Sequence, residues 1–188
     1  MKVLAISGSP RKGGNTDQLL NVALEVLEEK GIETEFITLA GKKLLTCTAC
    51  MGCKNNPQCV LDDDFGPIFT AMLEADGILI GSPVYFGSAT AEIKALLDRA
   101  GYVSCYNGNL FDRKVGGPVV VARRAGQNFT VAQLLMWYMI NGMIVPGSSY
   151  WNIAFGRGKD EVMEDEEGIS TIRAFAENVG WLLVKLKD

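Results

Sequence analysis

Histidine is missing from all 188 residues of this chain. No side chain therefore titrates near neutrality by default, and the commonest nitrogen ligand for metals is gone. A surplus of positive charge is also missing: 18 lysines and arginines face 22 acidic residues, for a net charge of −4. That balance lacks the footprint of a nucleic-acid or anionic-membrane binder, so neither partner is expected. No apolar run approaches the roughly 18 residues that a bilayer-spanning helix needs. The opening Met-Lys-Val-Leu-Ala-Ile-Ser-Gly is too short for a signal peptide and reads as a buried strand. Internal repeats and low-complexity segments are absent too. What remains is the profile of a cytoplasmic globular protein, 48% hydrophobic and 21% charged, with one domain expected over 1–188.

Cysteine is scarce, at five residues, yet four of them fall inside thirteen positions: Cys47, Cys50, Cys53 and Cys59, spaced C-x2-C-x2-C-x5-C. Thiolates packed this densely repel one another unless protons, disulfides or a metal quench the charge. A C-x2-C-x2-C run is a common grip on an iron–sulfur cube, and the four residues read as ligands of a 4Fe-4S cluster. Zinc more often takes two separated C-x2-C knuckles. Disulfide frameworks belong to small secreted domains, and redox thiols usually come as a single C-x-x-C. On spacing alone these stay open as alternatives. The remaining cysteine, Cys105, cannot build a second cluster; it could be a reactive thiol, but a lone cysteine is more often a small buried hydrophobe.

Apolar runs alternate with helical patterns along the chain. Strands are expected over 2–6, 33–39, 77–80, 115–121 and 143–145, and helices over 16–30, 65–73, 89–97, 129–140 and 168–186. Strands this apolar, each followed by an amphipathic helix, imply a parallel sheet covered on both faces. The expected fold is a flavodoxin-like three-layer αβα sandwich with strand order 2-1-3-4-5, carrying a cysteine-rich segment, 41–61, between the second strand and second helix. Such sheets bind ligands beyond the carboxyl ends of their strands.

Three loops reach that edge. The first, Ser7-Gly8-Ser9-Pro10-Arg11-Lys12-Gly13-Gly14-Asn15-Thr16, runs from a strand into a helix. Small residues admit close approach of an anion, free amides at the helix start favour phosphate, and Ser9, Arg11, Asn15 and Thr16 can add donors and charge. The loop is neither G-x-G-x-x-G nor a Walker sequence; its bland reading is a turn capped by Asn15 or Thr16. The second loop, Pro83-Val84-Tyr85-Phe86-Gly87, sets two aromatics where a flat ring could lie. The third, residues 122–128, either adds polar groups or is a solvated turn capped by Asn128.

These three features in this order, Gly8–Thr16, Cys47–Cys59 and Ser82–Gly87, resemble the iron–sulfur flavoproteins, a branch of the flavodoxin-like NAD(P)H-dependent FMN reductases. The resemblance implies FMN, with its phosphate on Ser9, Arg11, Asn15 and Thr16 and its ring near Pro83, Val84, Tyr85, Phe86 and Gly87. It also implies the 4Fe-4S cluster on Cys47, Cys50, Cys53 and Cys59, and a homodimer or homotetramer with flavin near a subunit interface.

The expected function is electron relay between a two-electron and a one-electron partner, with no catalytic side chain required and the redox chemistry supplied by the cofactors. The partner would be an electron-transfer protein such as ferredoxin, or NAD(P)H. The rivals are an NAD(P)H-dependent FMN or quinone reductase whose cysteines hold zinc or nothing, and a non-enzymatic redox-sensing module. Residues 100–111, aromatic and without periodicity, are expected to form an interface loop; the bland alternative is that Tyr102, Tyr106 and Phe111 fold back onto their own domain. The acidic residues of 161–167 are expected at the start of the last helix, where they suit its dipole.

Overall fold

The first strand, β1 (Lys2–Ser7), is buried along its last five residues, which is possible only if helices cover both of its faces. A computed structural model describes residues 1–187. After β1 come α1 (Asn15–Glu29), β2 (Glu33–Thr38), α2 (Phe65–Glu74), β3 (Gly77–Pro83), α3 (Ala91–Tyr106), β4 (Val115–Ala122), α4 (Gln127–Ile140), β5 (Ile153–Phe155), a 3₁₀ turn (Glu161–Glu164) and α5 (Glu166–Lys187). All pairings are parallel and the order is β2-β1-β3-β4-β5, the flavodoxin-like arrangement.

Alternation along the strands divides the core. Leu4, Ile6, Ile78, Ile80 and Val120 face α2, α3 and α4. Val3, Ala5, Leu79, Val119 and Val121 face α1 and α5. Helix α1 stops where expected: Gly31, at φ +73°, lets Ile32 N–H reach back to Leu27 C=O. Gly8 serves a close approach, since a Cβ there would lie 2.0 Å from Ile93 of α3.

Several expectations are corrected. Residues 143–145 form no strand; Ile144 makes a single bridge with Val115 and the chain then turns away. The fifth strand is Ile153–Phe155, which pairs with Val120–Ala122. The stretch 100–111 is no loop for most of its length, because α3 continues to Tyr106. Its periodicity is hidden because both sides are occupied: Val103 and Ser104 are buried, while Tyr102 and Tyr106 line a pocket with the cysteine segment. Phe111 folds back and is fully buried. Cys105 is exposed, not a buried hydrophobe. The N-caps of α1 and α4 are Gly14 and Gly126, with Asn15, Thr16 and Asn128 already inside the helices.

Tyr138 of α4, fully buried, shares its hydroxyl proton between Gly117 C=O at 2.9 Å on β4 and Ile78 C=O at 3.1 Å on β3. Tyr138→Phe leaves these carbonyls without that donor and should cost about 1–2 kcal/mol. Urea unfolding should show a lower midpoint with an unchanged slope.

Candidate functional site

Loops after β1, β3, β4 and β5 surround a cleft of about 520 Å³ at the carboxyl edge of the sheet, within the range of cofactor pockets. The β1–α1 loop is built on Asp17, which is buried near the start of α1. Ser7 Oγ–H donates to one of its carboxylate oxygens, and Gly13 N–H donates to the other at 2.7 Å. Thr90, the N-cap of α3, donates its hydroxyl to Gly8 C=O at 2.8 Å and so fixes this loop to the next. Gly126, at φ +90°, lets the third loop pack on the second, where a Cβ would meet Val84 and Gly87 at 3.0–3.1 Å.

Ser9, Arg11, Asn15, Thr16, Pro83, Val84 and Tyr85 all line this cleft; Phe86 and Gly87 do not. Tyr85 and Ser88 exchange backbone hydrogen bonds, so Phe86 and Gly87 are the tip of a two-residue turn, both at positive φ. Phe86 consequently stands fully exposed. Asn15 has a structural task in this cleft. Its Nδ2 donates to Gly158 C=O at 2.8 Å, and Gln18 donates to Asp160, so the segment after β5 is tied to the start of α1. Asn15 Oδ1 is buried without a partner, a state that a ligand hydroxyl would relieve.

That tie brings in residues that sequence reasoning missed: Arg157 and Lys159 join Arg11, Lys12 and Arg123 in the cleft lining, which contains no acidic residue. None of these five cations forms a salt bridge among the described residues. Unpaired cations beside a helix N-terminus favour negative charge in the cleft. The only sequence signal was the Gly-Arg-Gly-Lys composition of 156–159.

Cys47, Cys50, Cys53 and Cys59 line one second pocket, with apolar residues such as Val60, Leu61 and Val103. Three nearby residues, Ala49, Met51 and Asn55, hold φ between +52° and +60°. For non-glycine residues this costs on the order of 1 kcal/mol each, and such strain gathers at ligand clamps. Burial, then the neighbouring Cys59, Cys47 and Cys50, pushes the Cys53 thiol up. The N–H of Gly52, then the Thr48 hydroxyl, pulls Cys50 down. Among the described residues no three cysteine or acidic side chains converge to hold one metal ion; the thiols ring a pocket instead.

Helix α3 holds this segment from below. Arg99 is 1% exposed and its partner Asp63 is 0% exposed. Arg99 Nη1 and Nη2 donate to the two oxygens of Asp63 at 2.6 and 2.9 Å, and Nη1 also donates to Leu45 C=O at 3.2 Å. Nε and Nη2 both donate to Cys59 Sγ at 3.3 Å, so all five N–H groups are used. The guanidinium also lies 4.1 Å from the centre of the Phe65 ring. Two turns on, Asn107 donates to Cys53 C=O at 2.9 Å. Neither Arg99 nor Asn107 was expected in the site; the one hint was a lone arginine amid Leu96, Ala100 and Val103 on an apolar face.

The cysteine segment leaves the carboxyl edge after β2 but settles against the second half of α3. At the helical rise, Arg99 lies roughly 12 Å and Tyr106 roughly 22 Å beyond the start of α3. The two pockets share no residue.

A doubly wound sheet of this strand order, with a cationic cleft at its strand ends, is the flavodoxin-type architecture. Residues 1–158 match the family described as NADPH-dependent FMN reductase. An iron–sulfur flavoprotein of Methanocaldococcus jannaschii is 40% identical over the full length of both chains. Another, of Methanosarcina thermophila, is 37% identical and covers 95% of this chain and 93% of its own. Among solved structures, RosB with bound 8-demethyl-8-formylriboflavin-5′-phosphate superposes with a TM-score of 0.80 at 20% identity, over 100% of this chain and 80% of that one. A WrbA-like flavodoxin from Agrobacterium tumefaciens gives 0.69 at 15% identity, over 98% of each. Those two likenesses are of fold. The chain belongs to the FMN reductase family and, within it, to the iron–sulfur flavoproteins.

The Asp63–Arg99 pair makes stability depend on pH. Burial alone would raise the pKa of Asp63, but the Arg99 guanidinium, with the N–H groups of Leu45 and Phe65, outweighs it and holds Asp63 below the ordinary carboxylate range. The stabilisation is therefore full above that range and is lost as pH falls through the lowered pKa. Asp63→Asn should cost about 3–5 kcal/mol near neutrality, since it strands a buried arginine. Denaturant unfolding from acid to neutral pH should show that the variant's deficit shrinks at the acid end.

Proposed function

We propose that this protein binds FMN in the carboxyl-edge cleft and a 4Fe-4S cluster on Cys47, Cys50, Cys53 and Cys59, and relays electrons between a two-electron and a one-electron partner. The observation that carries the reading is that one chain holds two separate pockets, one lined by five unpaired cations and the other by four thiols. Thiols that ring a pocket suit a four-cornered cluster better than a single zinc ion. The relatives named iron–sulfur flavoprotein support the same pairing. When bound, the flavin supplies one- or two-electron chemistry and the cluster one-electron chemistry.

The chain's own part is positioning. Backbone amides at the start of α1 and the side chains of Ser9, Arg11 and Thr16 would hold the phosphate. Asn15 secures the segment carrying Arg157 and Lys159. Pro83, Val84 and Tyr85 form the wall available to the ring. The separation along α3 favours transfer from the cysteine pocket of one subunit to the cleft of another. The expected homodimer or homotetramer fits an apolar outer surface on α4, where Phe129, Met136, Met139 and Ile140 are each at least 64% exposed. The protein partner is a small electron carrier such as ferredoxin, in the cytoplasm. A second reading, direct reduction by NAD(P)H, is favoured by a cleft with more cations than one phosphate ester requires.

Anaerobically prepared protein should show flavin bands, a broad shoulder bleached by dithionite, and iron with acid-labile sulfide. Cys53→Ser should lose iron and the shoulder while keeping stoichiometric FMN, because the pockets share no residue. Iron-free wild type, or FMN lost with iron from a folded variant, refutes the reading. Light scattering at low micromolar concentration should give a multiple of 20.4 kDa; a monomer with both cofactors bound rules out relay between subunits.

A further inference from the structure

Arg99 is more than a buried ion-pair partner. A buried arginine satisfied only for stability needs a carboxylate and some carbonyl groups, and Asp63 with Leu45 C=O already provides three acceptors. The guanidinium spends its other two N–H groups on a single sulfur, Cys59 Sγ, at 3.3 Å each. Asp63 fixes the plane of the fork by accepting from both terminal nitrogens. Leu45 and Asp63 bracket the cysteine segment, and Leu45 N–H donates to Asp63 at 2.7 Å, so one clamp sets both ends of the loop and the sulfur of its last cysteine. Cys59 is also the ligand most in need of such a guide: five residues separate it from Cys53, against two between each earlier pair.

We propose that Arg99 is the positioning residue of the cluster site, holding Cys59 Sγ in the ligand set through two N–H···S bonds and biasing the cluster toward its reduced form. The inference rests on the cluster reading above. Hydrogen bonds to ligand sulfurs and a nearby positive charge both favour the state with one more electron, and outer contacts of this kind tune metal affinity as well as potential. A lysine keeps the charge but presents a point donor, unable to span Asp63 and Cys59 together.

The test compares wild type, Arg99→Lys and Arg99→Gln, prepared anaerobically with FMN and reconstituted with iron and sulfide. Cluster and flavin midpoint potentials are read separately by potentiometry with electron paramagnetic resonance and visible absorbance, and iron release to a chelator is timed. In Arg99→Lys the cluster potential should move negative and iron release should speed up by at least tenfold, with the flavin potential unmoved. Arg99→Gln, which keeps one donor amide but no charge, should shift the cluster potential further. Wild-type cluster potential and release rate in a folded Arg99→Lys overturn the inference. So does an equal shift of both cofactors, which marks a general structural role. Wild-type protein that takes up no iron overturns the cluster reading and this inference together. If Arg99→Lys fails to fold, Asp63→Glu, which displaces the carboxylate behind the fork, should reproduce the negative shift, and an unshifted potential there refutes it.

Discussion

An arginine taken out of water must have all its donors met, and the region between β2 and α2 is organised around that demand. Asp63, Leu45 and Cys59 meet it for Arg99. Around this centre the ends of the cysteine segment are zipped together: Lys43 N–H donates to Asp64 at 2.6 Å, and Asp64 N–H to Lys43 C=O at 3.1 Å. Phe65, whose ring lies beside the guanidinium, then opens α2 and packs into the core beside Phe69. Cysteine segment, helix α3 and core are thus coupled through one side chain. Removing the carboxylate leaves an uncompensated charge, whereas breaking an exposed pair such as Lys94–Asp98 leaves two hydrated groups.

The two pockets use the fold differently. The cleft relies on backbone and small residues at strand ends, where parallel strands and helix N-termini converge. The thiol pocket relies on a segment with little regular structure, which must borrow rigidity from α3. Charge is sorted in the same way. A chain with net charge −4 places five unpaired cations around the cleft and no carboxylate among its lining residues. The one carboxylate beneath that loop, Asp17, is enclosed by Ser7 and Gly13 and shapes the loop from inside.

Much of this was legible in the sequence, and the exceptions have physical reasons. Strand order, the β1–α1 loop and the four cysteines announce themselves through period, glycine content and spacing. The fifth strand does not: Met143-Ile144-Val145 is as apolar as a strand because it covers the core, while the real strand is only three residues long. Arg157 and Lys159 were missed because they enter the cleft through Asn15, 143 positions from its partner Gly158. Arg99 gains a role only when its partners, 36 and 40 positions away, are placed beside it. Phe86 lies in a stretch that suits a ring-binding wall, but the turn closed by Tyr85 and Ser88 carries it outward. Local pattern reports what a segment prefers; contacts between distant segments decide what it does.

The brevity of β5 also bears on how the molecule behaves in a crowd. A parallel sheet ends in two unpaired rows of amides and carbonyls, each a template for another chain. At one margin the template is three residues long and followed at once by Gly156. At the other, β2 carries Glu33 and Glu35, with Lys2 bridging to both. A strand arriving at either side finds too short a match or a row of charge, so growth by strand addition is discouraged at both margins. Association is left to helical surfaces, where side chains choose the partner.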